Sequence, residues 1–119
     1  FANIGYKPTV PFSWKEIQLL GNIEFPAQFL SMIDIYTSSS LGEGMPYSLI
    51  EAISLNKKCF VSNVPGHKGL VPEKCLFDLN INSKSFAEKL EGILDCKLEY
   101  PPLEDLSEMA KRTSIVYNQ

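Results

Sequence analysis

The chain has 119 residues, enough for one domain, and its 45% hydrophobic and 21% charged content supplies a core and excludes disorder as the main state. A net charge of −3 with a single arginine, Arg112, excludes a basic groove for nucleic acid. No apolar run approaches the ~18 residues of a membrane span, and the opening residues lack the charged-then-apolar pattern of a secretion signal. The three cysteines, Cys59, Cys75 and Cys96, are odd in number and lack Cys-x-x-Cys spacing. They argue against a zinc site or disulfide framework and for a reducing cytosol. Cys59 and Cys75 fall in apolar runs and read as core residues.

Along the chain, residues 1–14 carry no clear pattern. Ile17 to Leu20 reads as a short strand, closed by Gly21-Asn22. Phe25 to Ile33 reads as a helix, with Pro26 suited to its first turn and Phe29, Leu30 and Ile33 on one face. Ile35 to Ser38 is the next strand. Pro46 to Leu55 is a second helix with Leu49, Ile50 and Ile53 inward, and Asn56 can end it in the left-handed conformation. Cys59 to Ser62 and Leu76 to Leu79 are two further strands. A helix over Lys84 to Leu94 follows, with Ser85 and Glu88 at capping-box spacing and Phe86, Leu90, Ile93 and Leu94 as its apolar face. After Pro101-Pro102 a last helix carries Leu103, Leu106, Met109, Ala110 and Thr113 on one side.

Alternating strands and helices predict an α/β fold with a Rossmann-like parallel sheet flanked by helices. Right-handed crossovers put every strand-to-helix loop on one edge of such a sheet, where ligands bind outside the strands' carboxyl ends. Three loops follow strands there: Gly21 to Glu24, Ser38 to Met45, and Asn63 to His67. They are expected to line a common concavity.

The segment Ser40 to Ala52 carries the chemistry. A strand ends, a glycine loop follows, and a helix starts at Pro46. The first amides of that helix are unpaired and, with the helix dipole, suit an anion such as phosphate. Gly44 permits close backbone approach to a ligand. The Glu43 carboxylate can accept bonds from sugar hydroxyls. Glu51 lies on the far side of the helix from Leu49, Ile50 and Ile53, beside Tyr47. The pattern alone admits two readings: a solvated glutamate on an outer face, or a face that borders a cleft. His67, the one histidine, is read as a loop residue or helix-start hydrogen bonder, with a proton shuttle as the alternative. Trp14 and Tyr36 read as packing residues.

Ser40, Glu43, Gly44, Pro46, Glu51 and Ala52 fit the pattern Ser-x-x-Glu-Gly-x-Pro-x-x-x-x-Glu-Ala. That pattern resembles the donor-binding signature of the retaining GT-B glycosyltransferases of the family-4 group, the group 1 glycosyl transferases. Flanking segments agree in order. Leu19 to Ile23 is similar to the family's hydrophobic-Gly loop, Met32 to Tyr36 to its strand entry, Lys58 to Gly66 to the next strand and loop, and Ser85 to Leu94 to a following helix. The match spans roughly residues 17–95.

The resemblance implies Glu43 on the donor sugar, where the chemistry occurs, and Glu51 on the ribose. It implies the backbone of Gly44, Met45 and Tyr47 near the diphosphate, around the helix opening at Pro46, with Gly21-Asn22-Ile23 edging the base. No metal or other cofactor is implied. The family's diphosphate-gripping Gly-Arg-x-x-x-x-Lys segment has no counterpart in this chain, and its Gly-Gly-x-x-Glu loop is altered to Pro65-Gly66-His67-Lys68-Gly69. The whole chain, 1–119, therefore reads as a single incomplete domain: the C-terminal nucleotide-sugar-binding part of a larger enzyme, inactive alone.

The implied partners are a nucleotide-diphosphate sugar and the N-terminal acceptor domain of the same enzyme, with no nucleic acid. The implied reaction moves a hexose-type sugar to a hydroxyl acceptor in polysaccharide or glycolipid assembly. A lipid-linked acceptor would be reached through the other domain. The expected place is the cytoplasm, with a peripheral position at the inner membrane face left open. The alternatives are a non-catalytic nucleotide-sugar-binding module and a nucleotide-sugar epimerase of related fold.

Overall fold

A computed structural model describes residues 16–102. The element order is α1 (Pro26–Met32), β1 (Ile35–Ser38), α2 (Tyr47–Ser54), β2 (Lys58–Ser62), a 3-10 turn (Glu73–Cys75), β3 (Leu76–Phe77) and α3 (Ser83–Leu94). The three described strands form one parallel sheet in the order β1-β2-β3. Ile35 lies opposite Lys58 and Ser38 opposite Val61, while Val61 and Ser62 lie opposite Leu76 and Phe77. This is the expected α/β architecture, a parallel sheet with helices against it.

The two faces follow from the strand period of two. Cys59, Val61 and Leu76 point to one side and pack with Leu30 of α1 and with Leu49, Ala52 and Ile53 of α2. Phe60 and Phe77 point to the other side and pack with Phe86, Leu90 and Ile93 of α3. There the rings of Phe60, Phe77 and Phe86 form a triangle with centroids 4.8–5.0 Å apart, tilted or edge-on. Each such pair adds about 0.5–1.5 kcal/mol beyond the area it buries. Cys59 and Cys75 are fully buried, as their apolar settings predict.

The helix ends are closed by specific bonds. The Asn56 amide donates to the Ile53 carbonyl and the Lys57 amide to the Ala52 carbonyl, with Asn56 left-handed at φ 56°. This is the Schellman arrangement, and asparagine tolerates the conformation it needs. Lys57 Nζ donates to the Ser31 carbonyl at the end of α1, and Lys58 Nζ to the Leu94 carbonyl at the end of α3. Both cations cap carbonyls that a helix leaves unpaired. The Tyr100 hydroxyl donates to the Lys57 carbonyl at 2.6 Å, and Leu98 packs against both cores. The segment after α3 is thereby tied back to the residue before β2.

Four expectations are corrected. Ile17 to Leu20 is not a strand: it pairs with no described strand, and Ile17, Leu19 and Leu20 are exposed. The last strand ends at Phe77, because Asp78 and Leu79 are exposed. The N-cap of α3 is Asn82, whose side chain accepts from the Ser85 amide at 2.8 Å, so Ser85 is the capped residue and not the cap. Leu94 of that helix is exposed, unlike the rest of its expected apolar face. Trp14 and the helix expected after Pro102 lie outside the described residues. No described helix is long and apolar enough to cross a membrane.

Candidate functional site

The carboxyl ends of the parallel strands carry the unusual residues. The loop after β1 leads through Ser40 and Glu43 to Pro46, the N-cap of α2, and the loop after β2 carries Pro65, Gly66 and His67. The two loops touch at Gly66, whose backbone lies directly against that of Glu43.

Glu43 is half-buried, and Ser40 Oγ donates to its Oε1 at 2.6 Å. One oxygen is thereby oriented, while the carboxylate keeps capacity to accept bonds from a ligand hydroxyl. The amide of Tyr47 donates back to Met45, and the first bond of helical i to i−4 spacing is that of Ile50 to Pro46. The amides of Gly44, Met45, Ser48 and Leu49 have no backbone partner among the described residues. They are the donors that a helix start offers to an anion.

Glu43, Gly44, Met45 and Pro46 line a cavity of about 310 Å³ together with Pro65, Gly66, Lys68, Gly69 and Leu70, and with Pro101 and Pro102 at its rim. A second, more open cleft of about 480 Å³ is lined by Gly21, Asn22 and Ile23, by Tyr36 and Thr37 of β1, and by Ser48 and Glu51 of α2. Burial raises the Tyr36 hydroxyl above the ordinary phenol range, a rise that bonding to Ser38 partly offsets. It remains a neutral group at the floor of this cleft.

The expected single concavity is therefore two: the loop before α2 and its N-cap Pro46 line the first, and α2 itself lines the second. Glu43 and Gly66 share the first, and Gly21 and Glu51 the second. The physical reason is the course of the chain here: Glu43 to Pro46, leading into α2, line the cavity with the β2 loop, while Ser48 and Glu51 of α2 line the cleft with the segment before α1. Glu51 is exposed and borders a cleft, so its outward position on the wheel and the cleft-facing alternative both hold. Pro46 is buried and has no amide to offer. The Tyr47 side chain is exposed and its amide is already engaged, so the donors nearest it are those of Met45 and Ser48.

His67 is a loop residue, as expected, in the turn after β2, but it starts no helix. It is buried, with Nδ1 2.8 Å from the Ser62 carbonyl. Lys68, Thr37, Ser48 and the Pro101-Pro102 rim were not singled out by sequence. Lys68 carried a signal, since it follows a strand within an altered glycine loop. The prolines carried none, because their place depends on the return of the chain after α3.

The sequence matches the glycosyl transferases group 1 over residues 13–113, and with the parallel sheet this defines the class: the chain belongs to that family. It is similar to the UDP-Gal:alpha-D-GlcNAc-diphosphoundecaprenol alpha-1,3-galactosyltransferase of Escherichia coli, with 34% identity over 87 residues. The alignment covers 71% of this chain and 22% of that protein, so the chain spans about a fifth of its curated relative. No solved structure matches the chain significantly.

Proposed function

We propose that this chain supplies part of the donor site of a retaining GT-B glycosyltransferase. The whole enzyme moves a hexose from a nucleoside-diphosphate sugar to a hydroxyl acceptor. Glu43 accepts hydroxyls of the donor sugar in the enclosed cavity. The amides of Gly44 and Met45 and those opening α2 receive the diphosphate. Glu51 accepts the ribose hydroxyls in the adjoining cleft, with Gly21, Asn22 and Ile23 along the base.

The observation that carries this reading is the division of the two glutamates. Seven residues separate them along one loop and helix, and they line two different concavities that meet at an amide-rich helix start. A nucleotide sugar has the same division: a sugar, an anionic middle and a nucleoside. The Escherichia coli relative takes its sugar from a UDP-galactose donor and passes it to a diphosphoundecaprenol-linked residue, by its name. A UDP-hexose donor and a lipid-linked glycan acceptor follow as the substrate classes for this protein. The acceptor is held by an N-terminal domain of the same enzyme, and a lipid-linked acceptor calls for a peripheral position at the cytoplasmic membrane face.

Thermal shift of the full-length protein with a panel of nucleoside diphosphates and their hexose conjugates tests the reading. A ligand at ~100 times its dissociation constant adds ~2.7 kcal/mol of stability. Stabilisation by UDP and a UDP-hexose, and not by UMP or free hexose, is the expected result. No stabilisation by any nucleoside diphosphate or its sugar contradicts it.

A further inference from the structure

The donor-site reading uses Glu43, Glu51 and the amides before α2, and leaves Ser62 and His67 without a part. They are the two buried polar residues among those described, exposed by 0% and 1%. Burying a hydroxyl and an imidazole is unfavourable unless both are bonded, and an apolar pair would fill the same space without that cost. A polar pair adds direction.

Ser62 is the last residue of β2. Its hydroxyl donates to the Ser40 carbonyl at 2.6 Å, across 22 positions of sequence. Its proton is thereby committed. In the 2.8 Å contact between His67 Nδ1 and the Ser62 carbonyl, the oxygen can only accept, so Nδ1 carries a proton. The 3.3 Å approach of Nδ1 to Ser62 Oγ is the weaker branch of the same donation. Ser40, so fixed through its carbonyl, donates its own hydroxyl to Glu43 Oε1 at 2.6 Å, with Ser38 Oγ 3.2 Å behind it. The bonds run in one direction, from His67 to Ser62, from Ser62 to Ser40, and from Ser40 to Glu43. Gly66, the neighbour of His67, closes the same circuit from the other side by lying against the Glu43 backbone.

We propose that Ser62 and His67 are positioning residues that aim the Glu43 carboxylate at the donor sugar, acting through Ser40. The inference rests on the reading of Glu43 as the sugar ligand. It makes the end of β2 the fixed point from which the sugar subsite is held, while the ribose subsite at Glu51 lies outside the circuit.

The test measures the affinity of the full-length protein for UDP and for UDP-galactose by calorimetry, with melting temperature alongside. The ratio of the two affinities isolates the sugar subsite. Ser62→Ala and His67→Phe are expected to lower the UDP-galactose to UDP ratio ~3- to ~10-fold, the loss of about one hydrogen bond's worth of alignment, and to leave UDP binding within ~2-fold. His67→Asn, whose amide can donate from near the Nδ1 position, is expected to restore most of the ratio. Glu43→Ala sets the scale. If Glu43→Ala lowers the ratio while Ser62→Ala and His67→Phe lower only the melting temperature, the pair is scaffolding and the proposal is overturned, with the donor site intact. If Glu43→Ala leaves the ratio unchanged, the sugar role of Glu43 fails and the proposal fails with it. Should His67→Phe not fold, Ser62→Ala decides the matter alone, since it removes one oxygen and no volume of consequence.

Discussion

A Cβ placed on Gly66 would stand 2.2 Å from the carbonyl oxygen of Glu43 and 2.7 Å from its Cβ. Both atoms belong to a loop held at Ser40, so no flexible side-chain tip can swing aside. Glycine is needed at Gly66 for close approach, and the loop after β2 thereby fixes the height of the loop after β1. Gly66→Ala is expected to destabilise the fold by about 1–3 kcal/mol, as overpacking does, and to weaken UDP-galactose binding as the Glu43 loop shifts. Chemical denaturation and a binding isotherm check this. An unchanged midpoint with unchanged affinity would show that the two loops are not in contact.

The two cores make separate demands. Phe60 is fully buried at one corner of the aromatic triangle, whereas Met32 projects from α1 into solvent. Phe60→Ala is expected to cost about 3–5 kcal/mol, and Met32→Ala to stay within about 0.5 kcal/mol. Denaturant midpoints at constant slope compare the two.

Burial pushes the Cys59 thiol up to about 11 from an ordinary 9.0. The folded state holds this proton more tightly than the unfolded chain. The contribution is complete below pH 9 and is lost as pH rises through about 11, because the unfolded thiol ionises first. Melting temperature is expected to fall more steeply over pH 9–11 in the wild type than in Cys59→Ala. Parallel curves would place the thiol in water.

The 119-residue chain alone is expected to transfer no sugar. Its described cavity lacks any arginine, and the acceptor side of the reaction is assigned to another domain. Release of UDP from UDP-galactose into a glycan product by this chain alone would contradict the division of labour proposed above.

The elements legible in the sequence are those with a buried stripe. Leu49, Ala52 and Ile53 repeat at helical spacing, and Cys59, Phe60 and Val61 form a continuous apolar run buried on both faces, so α2 and β2 announce themselves. Ile17, Leu19 and Leu20 have the composition of a strand without a partner alongside, and pattern cannot report a missing partner. The Glu43 and Glu51 spacing was visible because it lies within one loop and helix. The burial of His67 was not. It depends on a turn that folds the residue back on Ser62, and on Ser62 meeting Ser40 from a different loop. Neither relation leaves a periodicity. For the same reason pattern predicts one concavity where there are two: sequence gives the edge of the sheet, while the course of the chain into α2 divides it.

Division of the donor between the two glutamates is tested by isotherms of UDP and UDP-galactose against the full-length wild type, Glu43→Gln and Glu51→Gln. Hydrogen bonds to a charged group contribute ~1.5–3 kcal/mol, so loss of the Glu51 charge is expected to weaken UDP and UDP-galactose alike, ~10- to ~100-fold. Melting temperature should barely change, because Glu51 is exposed. Glu43→Gln is expected to weaken UDP-galactose and leave UDP near its wild-type affinity. Equal affinities for both ligands in all three proteins would return both glutamates to solvent and leave the donor site elsewhere.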